Sequence, residues 1–134
     1  MTVNYDEQAN HYEETRNVIP LVYSTLIAII KPKANEKILD FGCGTGNYLL
    51  KLTTDYNIIP YGVEPSSVMR KIAAQKNPSA TIVEGNHEAM PINIQFDSIF
   101  CTDVIHHIDN LRILFLNLFK ISKPGTLLYL YRIL

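Results

Sequence analysis

Leu39-Asp40-Phe41-Gly42-Cys43-Gly44-Thr45-Gly46-Asn47-Tyr48 joins three local patterns in ten residues. Lys37-Ile38-Leu39-Asp40-Phe41 reads as a strand, three glycines spaced two apart follow, and Tyr48-Leu49-Leu50-Lys51-Leu52 reads as the start of a helix. Glycine has no Cβ, so it adopts positive φ and lets a backbone come close to a bound molecule. A strand, a glycine turn and a helix start together form a ligand cradle at the carboxyl end of a sheet.

Outward from this stretch the pattern alternates. On the amino-terminal side, Tyr5, Ala9, Tyr12 and Arg16 give residues 4–16 the spacing of a short amphipathic helix. Residues 19–30 form a second helix with Pro20 in its first turn, and Lys31–Asn35 is a linker. On the carboxyl-terminal side, Lys37–Phe41, Ile58–Val63, Thr81–Val83, Phe96–Thr102 and Thr126–Arg132 read as strands, with Pro60 an awkward member of the second. Helices are expected over Asn47–Thr54, over Ser66–Gln75 with Ser66 as the N-cap, and over Leu111–Ile121. Strands separated by helices imply right-handed crossovers and a doubly wound α/β domain, a mostly parallel sheet with helices on both faces. Its ligand belongs outside the carboxyl ends of the strands.

The 134 residues fit one domain, with an N-terminal helical cap over 1–35 and an α/β core over 36–134. An apolar fraction of 47% and a charged fraction of 19% describe a globular chain. A formal net charge of -1 does not suggest binding to a nucleic-acid backbone, which wants a basic face, and leaves open a nucleic-acid substrate presented to a small site. Cys43 and Cys101 are far apart and read as reduced thiols of a cytoplasmic protein rather than a disulfide scaffold. Met1–Glu14 is polar and acidic, unlike a signal peptide. The longest apolar run, the 13 residues Val18–Ile30, is interrupted by Pro20 and Ser24 and is too short to span a bilayer.

Chemistry-bearing residues collect at the strand ends. Strand one ends at Asp40 and the glycine turn, and strand two at Glu64-Pro65-Ser66. Strand three runs into Glu84-Gly85-Asn86-His87-Glu88-Ala89-Met90-Pro91, and strand four into Cys101-Thr102-Asp103. An acidic side chain at the end of strand two, 18 residues after Gly46, can accept hydrogen bonds from both hydroxyls of a ribose. A dinucleotide site would want GxGxxG spacing beneath a pyrophosphate, and Asn47 stands where the third glycine would fall.

In this order the elements resemble the class I S-adenosylmethionine-dependent methyltransferases of the small-molecule type, over nearly the whole chain. Leu39–Gly46 matches that family's first motif, Glu64 its ribose-binding acid, and Glu84–Pro91 the segment flanking adenine. Phe96–Phe100 with His106-His107-Ile108 resembles the fourth strand and its turn, and Lys123–Leu127 the turn into strand five. The resemblance implies a Rossmann-like sheet of order 3-2-1-4-5, S-adenosyl-L-methionine as cofactor and a small-molecule acceptor. It implies that the backbone of Gly42, Cys43 and Gly44 approaches the methionyl part, with Asp40 and Thr102 near its ammonium group. Glu64, beside Pro65, would hold the ribose, Met69 would pack on ribose or adenine, and Asn86 and His87 would border the adenine, where the family often has Asp at position 86. Tyr12 and Arg16 would close over the cofactor, Arg16 pairing with its carboxylate.

Other tempting residues read more plainly. Asp103, His106 and His107 lack metal-ligand spacing, since adjacent histidines usually point in different directions. Cys43 has no His/Asn partner pattern of a nucleophile. Leu111, Leu114, Phe115, Leu118 and Phe119 read as core packing, and Tyr129 and Tyr131 as strand residues without a functional role. Methyl transfer needs a general base only if the acceptor must lose a proton, and no residue takes that role from sequence.

Strand five ends at the last residues of the chain, so the family's final helix and antiparallel hairpin are expected to be missing. Either the chain is a truncated form of a longer enzyme or another subunit covers this apolar edge, and a dimer or higher oligomer, such as a homodimer, is expected to shield it. The rival functions are a module that holds S-adenosylmethionine or its demethylated product without turnover, and an NAD-dependent oxidoreductase using Gly42, Gly44 and Glu64.

Overall fold

A computed structural model describes residues 18–102 and 108–131. Its elements run α1 (Pro20–Ile30), β1 (Lys37–Phe41), α2 (Asn47–Tyr56), β2 (Ile59–Val63), α3 (Ser67–Lys76), β3 (Thr81–Val83), β4 (Phe96–Thr102), α4 (Leu111–Lys120) and β5 (Ser122–Tyr131). The five strands form one sheet of order β3-β2-β1-β4-β5, and every pairing is parallel. The doubly wound α/β expectation therefore holds, with the strand order that the resemblance implied. The helix expected over 4–16 lies outside the described residues.

Alternate strand residues feed two cores. Ile38 and Phe100 point to one face, where they meet Val22, Tyr23, Leu26 and Ile30 of α1 and Tyr48, Leu49 and Leu52 of α2. Leu39, Phe41, Ile99 and Cys101 point to the other, where they meet Leu114 and Leu118 of α4. The period of two along each strand is what buries both faces of a parallel sheet.

Pro60 sits inside β2 at no cost to the ladder. The Ile59 N–H donates to Glu36 O on the β1 side, and the Glu64 N–H to Val83 O on the β3 side. Even-numbered residues of β2 thus face β3, which begins only at Thr81, opposite Tyr61. The proline nitrogen falls just below the start of β3, where no ladder donor is needed.

Two expectations are corrected. Strand β5 begins at Ser122, not Thr126, because Ser122 already pairs with Phe96. The register then jumps to Ser98 opposite Leu127, so residues 123–126 bulge out of the strand, with Gly125 at φ 82. The stripe on α4 is core only in part. Leu114 and Leu118 are buried, whereas Leu111, Phe115 and Phe119 are 42, 40 and 79% exposed. Residues 111, 115 and 119 share a row turned about 100° from the row of 114 and 118, and among the described residues nothing covers that row.

Candidate functional site

Parallel pairing sets the carboxyl ends of β1 to β4 along one edge of the sheet. The glycine turn hangs from the end of β2 there: the Gly42 and Cys43 N–H groups both donate to Val63 O, at 2.8 and 3.1 Å. Gly42, Gly44 and Gly46 have φ of 73, 57 and 82°, left-handed conformations that a Cβ would strain. The Gly46 N–H closes the turn onto Cys43 O, and its missing side chain lets α2 approach Ala73 of α3.

Glu64 is the central group. Its side chain is buried, and each oxygen accepts one backbone hydrogen bond: Oε1 from the Gly44 N–H at 3.0 Å and Oε2 from the Ser66 N–H at 2.8 Å. Asp40, at the end of β1, is buried as well. Burial pushes the Cys43 thiol well up, and the charges of Asp40 and Glu64 push it further, against a smaller opposing pull from Arg70. The thiol is therefore protonated at neutral pH and is no nucleophile.

The other described residues singled out from sequence lie at the strand ends and in the segments that follow them. Ser66 caps α3, its hydroxyl accepting from the Met69 N–H at 3.2 Å, and Met69 is buried. Pro65 lies between Glu64 and that cap, its carbonyl accepting from Arg70. Thr102 is the buried last residue of β4. Asn86 is exposed and holds a tight turn after β3, its Oδ1 accepting from the Glu88 and Ala89 N–H groups at 2.9 and 3.0 Å. The His87 carbonyl accepts from Asn117 Nδ2 of α4 at 2.7 Å, and its imidazole lies 3.7 Å from Glu88. Tyr12, Arg16, Asp103, His106 and His107 lie outside the described residues. Tyr129 ties β5 to α1 through its hydroxyl, which donates to Val22 O at 3.4 Å.

Three contributors escaped the sequence reading. Gly62 makes room for the turn: a Cβ there would stand 2.7 Å from Cys43 Sγ and 2.9 Å from Ile82 Cδ1. Gly85 does the same after β3, where a Cβ would meet the Ala89 carbonyl oxygen at 2.7 Å. A glycine inside a strand is a recognised sign of close approach, so Gly62 was legible in principle. The third is Arg70, whose guanidinium donates to the carbonyls of Glu64 and Pro65.

The electrostatics select the ligand class. A pyrophosphate cradle needs turn amides free to face phosphate oxygens. Here the Gly44 amide is already taken by a buried carboxylate, and a second carboxylate lies close by. The turn suits a ligand with hydroxyls and a cationic end and repels one with phosphates. An open cavity of about 690 Å³ lies at the opposite end of the sheet, lined by residues including Phe115, Phe119, Lys123 and Thr126, and it does not touch this constellation.

A family model described as a methyltransferase domain matches residues 39–130. An uncharacterized methyltransferase of Anoxybacillus flavithermus is 36% identical over 107 residues, covering 78% of this chain and 50% of that protein. One of Geobacillus thermodenitrificans is 34% identical over 107 residues, covering 78% and 49%. The chain spans about half the length of the curated relatives it matches. Among solved structures, an S-adenosylmethionine-dependent methyltransferase of Thiobacillus denitrificans in complex with S-adenosylhomocysteine is similar with a TM-score of 0.76 at 18% identity, over 96% of this chain and 56% of that one. Phosphoethanolamine N-methyltransferase 2 of Haemonchus contortus reaches 0.80 at 22% identity, over 96% and 35%. At such identities the likeness to these structures is one of fold.

Proposed function

The chain belongs to the class I methyltransferase family, and we propose that it binds S-adenosylmethionine and serves methyl transfer to a small-molecule acceptor. The observation that carries this reading is Glu64, a buried carboxylate at the end of β2 whose two oxygens are aligned by the Gly44 and Ser66 amides. Such a group is preset to accept both hydroxyls of a ribose. The acidic surroundings of the glycine turn fit a sulfonium and an ammonium group and disfavour the NAD alternative.

The residues divide the ligand among them. Glu64, with Pro65 beside it, holds the ribose. Gly42, Cys43 and Gly44 lie along the methionyl chain, with Asp40 and Thr102 toward its ammonium group. Met69, Asn86 and His87 border the adenine. Asn86 Oδ1 is occupied by its own turn, so its amide nitrogen faces the base and donates to a ring nitrogen. Tyr12 and Arg16 close the site. S-adenosylmethionine supplies a methyl group already activated on sulfur. The protein's part is to bring the acceptor into line, hold it there and exclude water.

Buried, reduced Cys43 and Cys101 support a cytoplasmic location. Among the described residues no helix is long and apolar enough to cross a membrane. Strand β5 is an edge of the described sheet and exposes Leu127 and Leu128, which supports pairing with a second copy. Light scattering that finds only monomers at high concentration rejects that pairing.

Calorimetric titration tests the ligand. S-adenosylhomocysteine should bind and NAD should not, and the reverse overturns the proposal. A labelled methyl group passed to a panel of small acceptors then separates an enzyme from a module that only holds the cofactor.

A further inference from the structure

We propose that Arg70 is the positioning residue for the ribose-binding carboxylate, an inference that rests on the S-adenosylmethionine reading above. Arg70 lies in the first turns of α3, whose amino terminus carries partial positive charge and repels a cation. Its guanidinium nevertheless turns back over that end. Nη1 donates to Glu64 O at 3.0 Å and to Pro65 O at 2.9 Å, and Nη2 comes within 3.8 Å of Glu84 Oε2 at the end of β3. The side chain is 21% exposed, and both hydrogen bonds are partly buried.

Residue 64 is held at several points. Its N–H donates to Val83 O, its carboxylate takes the Gly44 and Ser66 amides, and its carbonyl takes Arg70. All but the last of these partners are backbone groups, present whatever side chains surround them. Arg70 is thus the side chain among these partners that fixes the peptide planes following Glu64. Those planes set where the Ser66 amide lies and hence how the carboxylate is oriented. The guanidinium charge also reaches the glycine turn, where it opposes the fields of Asp40 and Glu64 at Cys43.

The role makes a prediction that general stabilisation does not. Without Arg70 the carboxylate keeps its amides but loses its aim, so the penalty falls on ligands that carry the ribose hydroxyls. The experiment is calorimetric titration of wild type, Arg70→Ala, Arg70→Lys, Glu64→Gln and the Arg70→Ala/Glu64→Gln pair. The ligands are S-adenosylhomocysteine and its 2′,3′-dideoxy analogue. Arg70→Ala should weaken S-adenosylhomocysteine about tenfold, the scale of one or two lost hydrogen bonds, and leave the dideoxy analogue unchanged. Arg70→Lys, with a single-headed ammonium, should recover part of the loss. In the Glu64→Gln background the Arg70→Ala penalty should largely disappear. Where Arg70→Ala does not fold, Arg70→Gln, which keeps a donor, replaces it with a smaller loss confined to the ligand that carries the hydroxyls. Equal losses for both ligands, or fully additive losses in the pair, overturn the positioning role. Wild-type protein that fails to bind S-adenosylhomocysteine overturns the cofactor reading itself, and with it this one, before any variant is made.

Discussion

Glu64→Gln is the most direct perturbation of the site. The change preserves shape and removes one acceptor. In the wild type the two carboxylate oxygens serve two amides, Gly44 at 3.0 Å and Ser66 at 2.8 Å. Glutamine offers one carbonyl oxygen, so its NH₂ must face the other backbone N–H. A buried amide left without an acceptor costs about 1–3 kcal/mol. Loss of one of two neighbouring negative charges relieves some repulsion with Asp40, which sets the expected destabilisation nearer about 1 kcal/mol than 3. Ligand binding suffers more. One of the two bonds to the ribose diol vanishes and the other loses its charge assistance, about 1.5–3 kcal/mol in all. That corresponds to roughly ten- to hundredfold in Kd. Urea unfolding of the free protein reads the first effect and calorimetry with S-adenosylhomocysteine the second. An affinity within about threefold of wild type would refute the assignment of Glu64 to the ribose.

Three further outcomes are expected. Gly62→Ala sets a methyl group 2.7 Å from Cys43 Sγ and 2.9 Å from Ile82 Cδ1. It should cost about 1–3 kcal/mol in denaturant unfolding, part of which Cys43→Ala in the same chain restores; no loss refutes the close approach. Asp97 accepts from the Lys37 N–H and from Lys123 Nζ. Burial pushes its carboxyl up, but the Lys123 hydrogen bond, the Lys37 amide and the two lysine charges outweigh burial and hold it below the ordinary value. The folded state therefore binds this proton less tightly than the unfolded state. Its stabilisation is complete above the ordinary carboxylate range near about pH 4 and fades as pH falls through the lowered folded value. The melting-temperature advantage of wild type over Asp97→Asn should shrink below about pH 4, and an advantage constant through that range contradicts the ion pair. Cys43, with its thiol pushed up, and Cys101, also buried, should resist thiol reagents at neutral pH until denaturant is added, and rapid labelling of native protein contradicts that burial.

The fold was legible because its signals are local. Glycines at Gly42, Gly44 and Gly46 announce a left-handed turn, and Ser66 announces a helix start; each needs only its neighbours to be read. The misread regions depend on partners distant in sequence. Whether Ser122 belongs to β5 is decided by Phe96, 26 residues earlier, and by a bulge that no periodicity encodes. The apolar row Leu111, Phe115 and Phe119 is indistinguishable by composition from the row of Leu114 and Leu118. The sheet decides which row is covered.

The candidate site divides along the same line. Which residues stand at the strand ends follows from the order of elements, so the positions of Asp40, Glu64 and Thr102 are legible in the sequence. What each does there depends on pairings across the sheet. The Gly44 amide, which a phosphate-binding turn would present to its ligand, instead meets a carboxylate 20 residues later in the chain. That hydrogen bond gives the turn its sign. Sequence spacing disfavours NAD only by the absence of one glycine at position 47, whereas the structure supplies a physical reason: a phosphate entering the turn would compete with Glu64 for the Gly44 amide and be repelled by its charge. A cationic ligand bearing a diol meets neither obstacle. The glycine turn and the acid after β2 are therefore one device, and a substitution at either should be read in the binding of the same ligand.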